Sequence, residues 1–193
     1  MVWSCLVSIL PGMAQTEKLT DYVNPFVGTD GYGNVYPGAQ IPFGGIQISP
    51  DTDSRFYDAA SGYKYNHLTL MGFSLTHLSG TGIPDLGDFL FIPGTGEMKL
   101  EPGTHEDPDQ GYRSRYSHDK EWASPNYYAV ELADYGVKAE MTSGVRSGMF
   151  RFTYPESDNA FIMIDMNHTL WQSCEWSNLR MINDSTITGY KLV

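Results

Sequence analysis

Basic charge is scarce in this chain of 193 residues: 12 lysines and arginines stand against 23 aspartates and glutamates, for a formal net charge of −11. A field of that sign repels nucleic acid and anionic membrane surfaces, which excludes both as partners drawn in by charge. Cysteine is nearly absent. Cys5 and Cys174 are the two present, without the spacing of zinc ligands, and Cys5 lies in an apolar leader. Neither a zinc site nor a disulfide between them is expected. Long hydrophobic runs are missing as well, and the leader Val2–Leu10 is too short to span a bilayer. No stretch carries a convincing helical period with caps at both ends, and no repeat or low-complexity tract occurs.

What is present describes a globular β protein. Hydrophobic residues make up 41% and charged residues 18%, enough apolar material for one domain with a core. Aromatics reach 13%, with 13 tyrosines, a residue that suits strands and also lends rings to binding faces. At the start, Val2–Leu10 followed by Gly12-Met13-Ala14 before Gln15 has the form of a signal peptide core and cleavage site, although no basic segment leads it. Residues 1–14 are therefore expected to be a leader remnant and 15–193 the exported part, in the periplasm or outside the cell.

Short apolar segments recur between Gly, Pro, Asn and Asp, the pattern of an antiparallel β-sandwich. Strands are predicted over 45–49, 70–78, 89–92, 160–166 and 186–193, the segment 160–166 being covered on both faces. A three-strand meander is predicted over 127–133, 137–141 and 149–154, with turns at Asp134-Tyr135-Gly136 and Thr142-Ser143-Gly144. Between Gly94 and Pro125 lies a long connection with an irregular hairpin expected near Tyr112–Tyr116. Connections beyond about 12–15 residues tend to be functional or mobile. The last strand ends without a turn or polar tail, so the sandwich is expected to be incomplete at its C-terminal end.

Several motifs invite chemistry. Gly28-Thr29-Asp30-Gly31-Tyr32-Gly33-Asn34 lacks the ending of a phosphate loop. Asp51-Thr52-Asp53 opens like a calcium loop, but Phe56 and Gly62 occupy positions that need Gly and Glu. Asp85 and Asp88, three apart, suit turn capping better than paired acid–base work. His77, in Thr76-His77-Leu78-Ser79-Gly80-Thr81-Gly82, has no nucleophile and orienting group for a triad. Its open role is bonding a sugar hydroxyl or shaping a pocket wall, against the plainer one of bonding a backbone carbonyl at a strand end. Trp122, Trp171 and Trp176 are expected to be buried rather than to stack on sugars. Arg113, Arg115 and His118 beside Asp119 are expected to form a surface network. Asn167-His168-Thr169 and Asn183-Asp184-Ser185 fit the glycosylation acceptor pattern, one that is frequent by chance.

A set of motifs in one order resembles the N-terminal domain of glycoside hydrolase family 92, the exo-acting α-mannosidases. It opens with Tyr22-Val23-Asn24-Pro25-Phe26-Val27-Gly28-Thr29, Pro37-Gly38-Ala39, Pro42-Phe43-Gly44 and Ser49-Pro50-Asp51-Thr52. Ser61-Gly62-Tyr63, Gly72-Phe73-Ser74 and the His77 segment follow. Tyr112-Arg113-Ser114, Ser117-His118, Ser124-Pro125, Tyr135-Gly136-Val137-Lys138-Ala139-Glu140 and Arg151-Phe152-Thr153 continue the series to near the end of the chain.

The resemblance implies an all-β, supersandwich-like domain that contributes to the substrate pocket of a calcium-dependent, inverting exo-α-mannosidase acting on terminal α-linked mannose of glycans, as in N-glycan processing. It implies that a C-terminal (α/α)6 domain holds the acid, the base and the calcium, so that no catalytic or metal-ligating residue is assigned in this chain. Substrate-binding residues are expected at Tyr57, His77, Ser79, Gly80 and Thr81. Tyr57 stands where the family carries tryptophan, and Leu75 where many members carry histidine. A secreted carbohydrate-binding module without catalysis is the alternative, and a free-standing enzyme is the least favoured.

Overall fold

The computed structural model describes residues 17–55 and 57–193. The strands are β1 (Ser49–Asp51), β2 (Thr69–Leu70), β3 (Gly72–Ser74), β4 (Leu90–Thr95), β5 (Ser114–Arg115), β6 (Glu121–Ser124), β7 (Tyr127–Leu132), β8 (Val137–Ser143), β9 (Gly148–Thr153), β10 (Ala160–Asp165), β11 (Trp176–Asn183) and β12 (Thr186–Leu192). Two four-stranded antiparallel sheets, ordered β1-β3-β4-β10 and β6-β7-β8-β9, form the body, with small ladders β2-β5 and β11-β12. The fold is an all-β antiparallel sandwich, as the sequence pattern predicts.

Alternation decides the core. In β8, Val137, Ala139 and Met141 point inward while Lys138 and Thr142 lie on the outer face. They meet Tyr128, Val130 and Leu132 of β7, Phe73 of β3 and Ile48, which precedes β1, in one buried cluster. Phe150 and Phe152 of β9 complete the contact between sheets, with ring centroids 5.0 Å from Phe91 and 6.3 Å from Phe73. Burying each large apolar side chain in such a core contributes about 1.5–3 kcal/mol.

The meander lies where expected, with Gly136 at φ 64° in its first turn. β8 runs on to Ser143, however, and the second turn closes by the Gly144 N–H bonding Ser147 O. Two strands had no sequence prediction. β6 pairs β7 across Pro125-Asn126, where Asn126 takes φ 58° and its side chain bonds Ser143. β11 pairs β12 across Asp184-Ser185, the segment that otherwise reads as a glycosylation pattern.

Other expectations are corrected. The 70–78 strand stops at Ser74, because the chain turns there to place Thr76 on Asp88. The 45–49 strand is instead β1, which carries Pro50 at the sheet's edge, where a missing N–H costs nothing. The segment 112–116 forms no hairpin, since Ser114 and Arg115 pair with Leu70 and Thr69. β10 is not covered on both faces: Ile162 is exposed. Arg115 does join a surface network with Asp109 and Asp134, but Arg113 is buried and donates to Thr52 O and Thr69 Oγ1. Trp122, Trp171 and Trp176 are all exposed. Cys174 is a free thiol. The leader expected over 1–14, with Cys5, lies outside the described residues.

Candidate functional site

β1 ends on Asp51, a fully buried carboxylate between two histidines. Its Oδ1 lies 2.7 Å from His77 Nε2, and its Oδ2 lies 2.7 Å from His168 Nε2. His77 Nδ1 donates to Gln47 O at 2.6 Å, and Ser74 Oγ lies 3.0 Å from Nε2. Burial alone would raise the Asp51 carboxyl. The charge of His77 and hydrogen bonds from His168 and His77 outweigh that, and hold it well below the ordinary carboxylate range.

Gly62 makes this arrangement possible. It has φ 84°, and a Cβ placed there would lie 2.1 Å from Asp51 Oδ1. Its carbonyl also accepts the N–H groups of Thr52 and Asp53. The Ser-Gly-Tyr motif thus supplies the bare backbone that lets the buried carboxylate approach. Tyr63 then turns to the other side, where its hydroxyl and that of Tyr128 donate to Glu121 Oε1 at 3.0 and 2.5 Å. His118 Nδ1 lies 2.6 Å from Glu121 Oε2.

The lowered Asp51 carboxyl predicts acid sensitivity. A carboxyl held below its unfolded value of about 3.9 contributes stability that is complete above that pH and is lost as pH falls toward the folded value. Urea midpoints should therefore drop steeply below pH 4. Asp51→Asn should flatten that limb while costing about 3–5 kcal/mol at neutral pH, because it breaks a buried pair. An unchanged acid limb in the variant would remove Asp51 from this role.

The residues expected to bind substrate fall into two groups. Tyr57 is 59% exposed, and its hydroxyl comes within 3.8 Å of where a Cβ on Gly82 would stand. Tyr57 therefore sits beside the loop carrying Ser79, Gly80 and Thr81, of which Ser79 and Gly80 are exposed and Thr81 half-buried. Gly80 has φ 72° with open space around it, and its N–H bonds Asn34 O. His77 stands apart from them. It is 3% exposed with both ring nitrogens engaged, Nδ1 on Gln47 O and Nε2 on Asp51 Oδ1.

Sequence reasoning missed His168 and the exposure of Trp171. Both line a cleft of about 520 Å³, together with Arg55, Glu101 and Asp165. No sequence spacing links Asp51 to His168; a conspicuous histidine in Asn167-His168-Thr169 was the available signal.

Calcium, which the resemblance implies, finds no ligand set among the described residues: no three His, Cys, Asp or Glu side chains group to hold a metal. The carboxylates nearest the site are already spent. Asp51 serves two histidines, while Asp53 accepts the N–H groups of Ser54 and Arg55 and meets His105.

Among the described residues no helix is long and apolar enough to cross a membrane. The chain is 30% identical over 139 residues to an uncharacterized secreted glycosidase of Arthroderma benhamiae, a match covering 71% of this chain and 17% of that protein. Among solved structures, the GH92 family glycosyl hydrolase ccman5 superposes with a TM-score of 0.72 at 30% identity, over 87% of this chain and 23% of that one. The GH92 inverting mannosidase BT2199 from Bacteroides thetaiotaomicron gives a TM-score of 0.62 at 27% identity, over 78% of this chain and 20% of that one. The chain thus spans about a fifth of the length of the relatives it matches. The family described as glycosyl hydrolase family 92 N-terminal domain matches residues 22–193. With that match and a sandwich that follows the family's structures, the chain belongs to glycosyl hydrolase family 92, as its N-terminal domain.

Proposed function

We propose that residues 15–193 are the pocket-contributing N-terminal part of a calcium-dependent, inverting exo-α-mannosidase that removes terminal α-linked mannose from glycans outside the cytoplasm. The observation that carries this reading is the family match across nearly the whole domain, joined to a solved inverting mannosidase among its structural relatives. Residues 1–14 act as the export leader, in keeping with a secreted relative. Tyr57 offers a ring face to the terminal mannose, and Ser79, Gly80 and Thr81 offer hydroxyl and backbone groups beside it. His77 and Asp51 keep that loop in place.

Inversion needs an acid and a base roughly 6.5–9.5 Å apart with water between them. Both belong to a C-terminal (α/α)6 domain in this reading, as does the calcium, which would supply Lewis-acid polarisation at the mannose. The 193 residues alone are then inactive. The test is proton NMR of mannose release by the full reading frame. The first product should be the β-anomer, and Tyr57→Ala should raise KM several-fold with a smaller change in kcat. A first product of α configuration, or no effect of Tyr57→Ala, would reject the respective part of the reading.

A further inference from the structure

The cleft beside Asp51 carries recognition groups that the Tyr57 rim does not use. We propose that it is a second sugar-ring subsite, in which Trp171 stacks on the ring and His168 bonds a hydroxyl through Nδ1. It would take the sugar unit linked to the ring held at Tyr57. The inference rests on the glycan reading above and adds to it where the neighbouring unit binds.

Trp171 is the first argument. It is 59% exposed yet holds φ 75°, a left-handed conformation that is a true outlier for a bulky residue. Neighbouring bonds impose it: the Trp171 N–H donates to Ser54 O and the Leu170 N–H to Leu86 O. Strain of this kind is not offset by burying the indole, which stays outside. A ring face held open to water beside a polar cleft is what the C–H face of a pyranose packs against.

His168 is the second. The residue is only 5% exposed and lines the cleft, and Nε2 is fixed on Asp51 Oδ2. Because Asp51 is held ionised, Nε2 carries the hydrogen of that bond. Among the described residues no partner engages Nδ1, so it remains to bond a ligand hydroxyl. This is a buried, oriented polar group whose second valence is unspent. Asp165 is likewise held, by the Tyr112 hydroxyl at 3.2 Å and the Asn167 N–H at 2.8 Å, and offers carboxylate oxygens to adjacent hydroxyls. Arg55 lines the same cleft and adds guanidinium donors to it.

Size and placement agree. A volume of about 520 Å³ lies within the common range for small-ligand sites. One link ties the cleft to the loop beside Tyr57. Gln172, which lines the cleft, reaches Asp85 Oδ1 through Nε2 at 3.4 Å, on the loop whose Gly82 lies beside the Tyr57 hydroxyl.

The experiment is calorimetric titration of the full reading frame with mannose and with a non-hydrolysable, sulfur-linked α-mannobiose. The wild-type protein should bind the disaccharide about tenfold more tightly, the increment of one stacked and hydrogen-bonded ring. Trp171→Ala should erase that preference while leaving mannose affinity unchanged, and His168→Gln should reduce it several-fold. Trp171 is exposed, so its variant keeps the test valid even where a His168 substitution disturbs folding. A tenfold preference that survives in Trp171→Ala overturns the subsite and leaves the mannosidase reading intact. A protein that binds neither sugar overturns both.

Discussion

Gly62→Ala is expected to leave little of the chain folded. The new Cβ meets Asp51 Oδ1 at 2.1 Å, in a backbone conformation of φ 84° that alanine resists. Strain of that kind costs about 1–3 kcal/mol. Displacing the carboxylate from its two histidines adds part of the roughly 3–5 kcal/mol that breaking a buried pair costs. Against a total stability of about 5–15 kcal/mol for a domain, the sum is decisive. Gly80→Ala is the internal comparison. It shares the positive φ, 72°, but nothing stands within 4 Å of the added carbon, so the cost should stay near 1–2 kcal/mol. Urea denaturation of both variants measures the difference. Equal losses would show that the contact with Asp51 is unimportant.

Glu121→Ala should rank next. Glu121 is where the hydroxyls of Tyr63 and Tyr128 and a nitrogen of His118 converge, in the floor between the loops and the β6-β7-β8-β9 sheet. Burial pushes both phenols well above their ordinary range, with nearby Tyr116 and Glu121 adding to it for Tyr63 and Glu121 for Tyr128, so they remain neutral donors. Removing the acceptor strands these donors. Each unsatisfied buried phenol costs about 1–3 kcal/mol, and the two, with a smaller share from the half-buried His118, about 3–6 kcal/mol together with incomplete additivity. Tyr63→Phe removes one donor and leaves the carboxylate its other partners, so about 0.5–1.5 kcal/mol is expected there. If Tyr63→Phe proved as damaging as Glu121→Ala, the convergence on Glu121 would not be what stabilises the floor.

The fold was legible where side chains alternate against a single core. The meander of β7, β8 and β9 shows this, because Val137, Ala139 and Met141 announce their inward face in the sequence. β6 and β11 escaped because their residues are mixed in polarity, as in Glu121-Trp122-Ala123-Ser124, and their faces are largely exposed. Turn chemistry at Pro125-Asn126 and Asp184-Ser185 was the remaining signal. The end of β3 at Ser74 was hidden for a different reason: Leu75 and Leu78 continue an apolar pattern, while a bond from Thr76 to Asp88 bends the chain. In the site, the motif Ser61-Gly62-Tyr63 was visible only as part of the family resemblance; what requires its glycine is the carboxylate of Asp51, which the fold brings against it. His77 was conspicuous by its neighbours, yet its burial depends on Gln47 and Asp51. His168 meets Asp51 across 117 positions, a separation that local reading does not bridge.

The proposed function implies one division of labour, in which this sandwich would shape a mannose pocket and the reacting carboxyls would lie on other polypeptide. Mannose released from an α-linked disaccharide, with calcium and with chelator, measures it directly for the 193 residues alone and for the full reading frame, once each shows a cooperative thermal transition. Release confined to the full frame, and lost with chelator, is the predicted result. Turnover by the folded 193 residues on their own would contradict it.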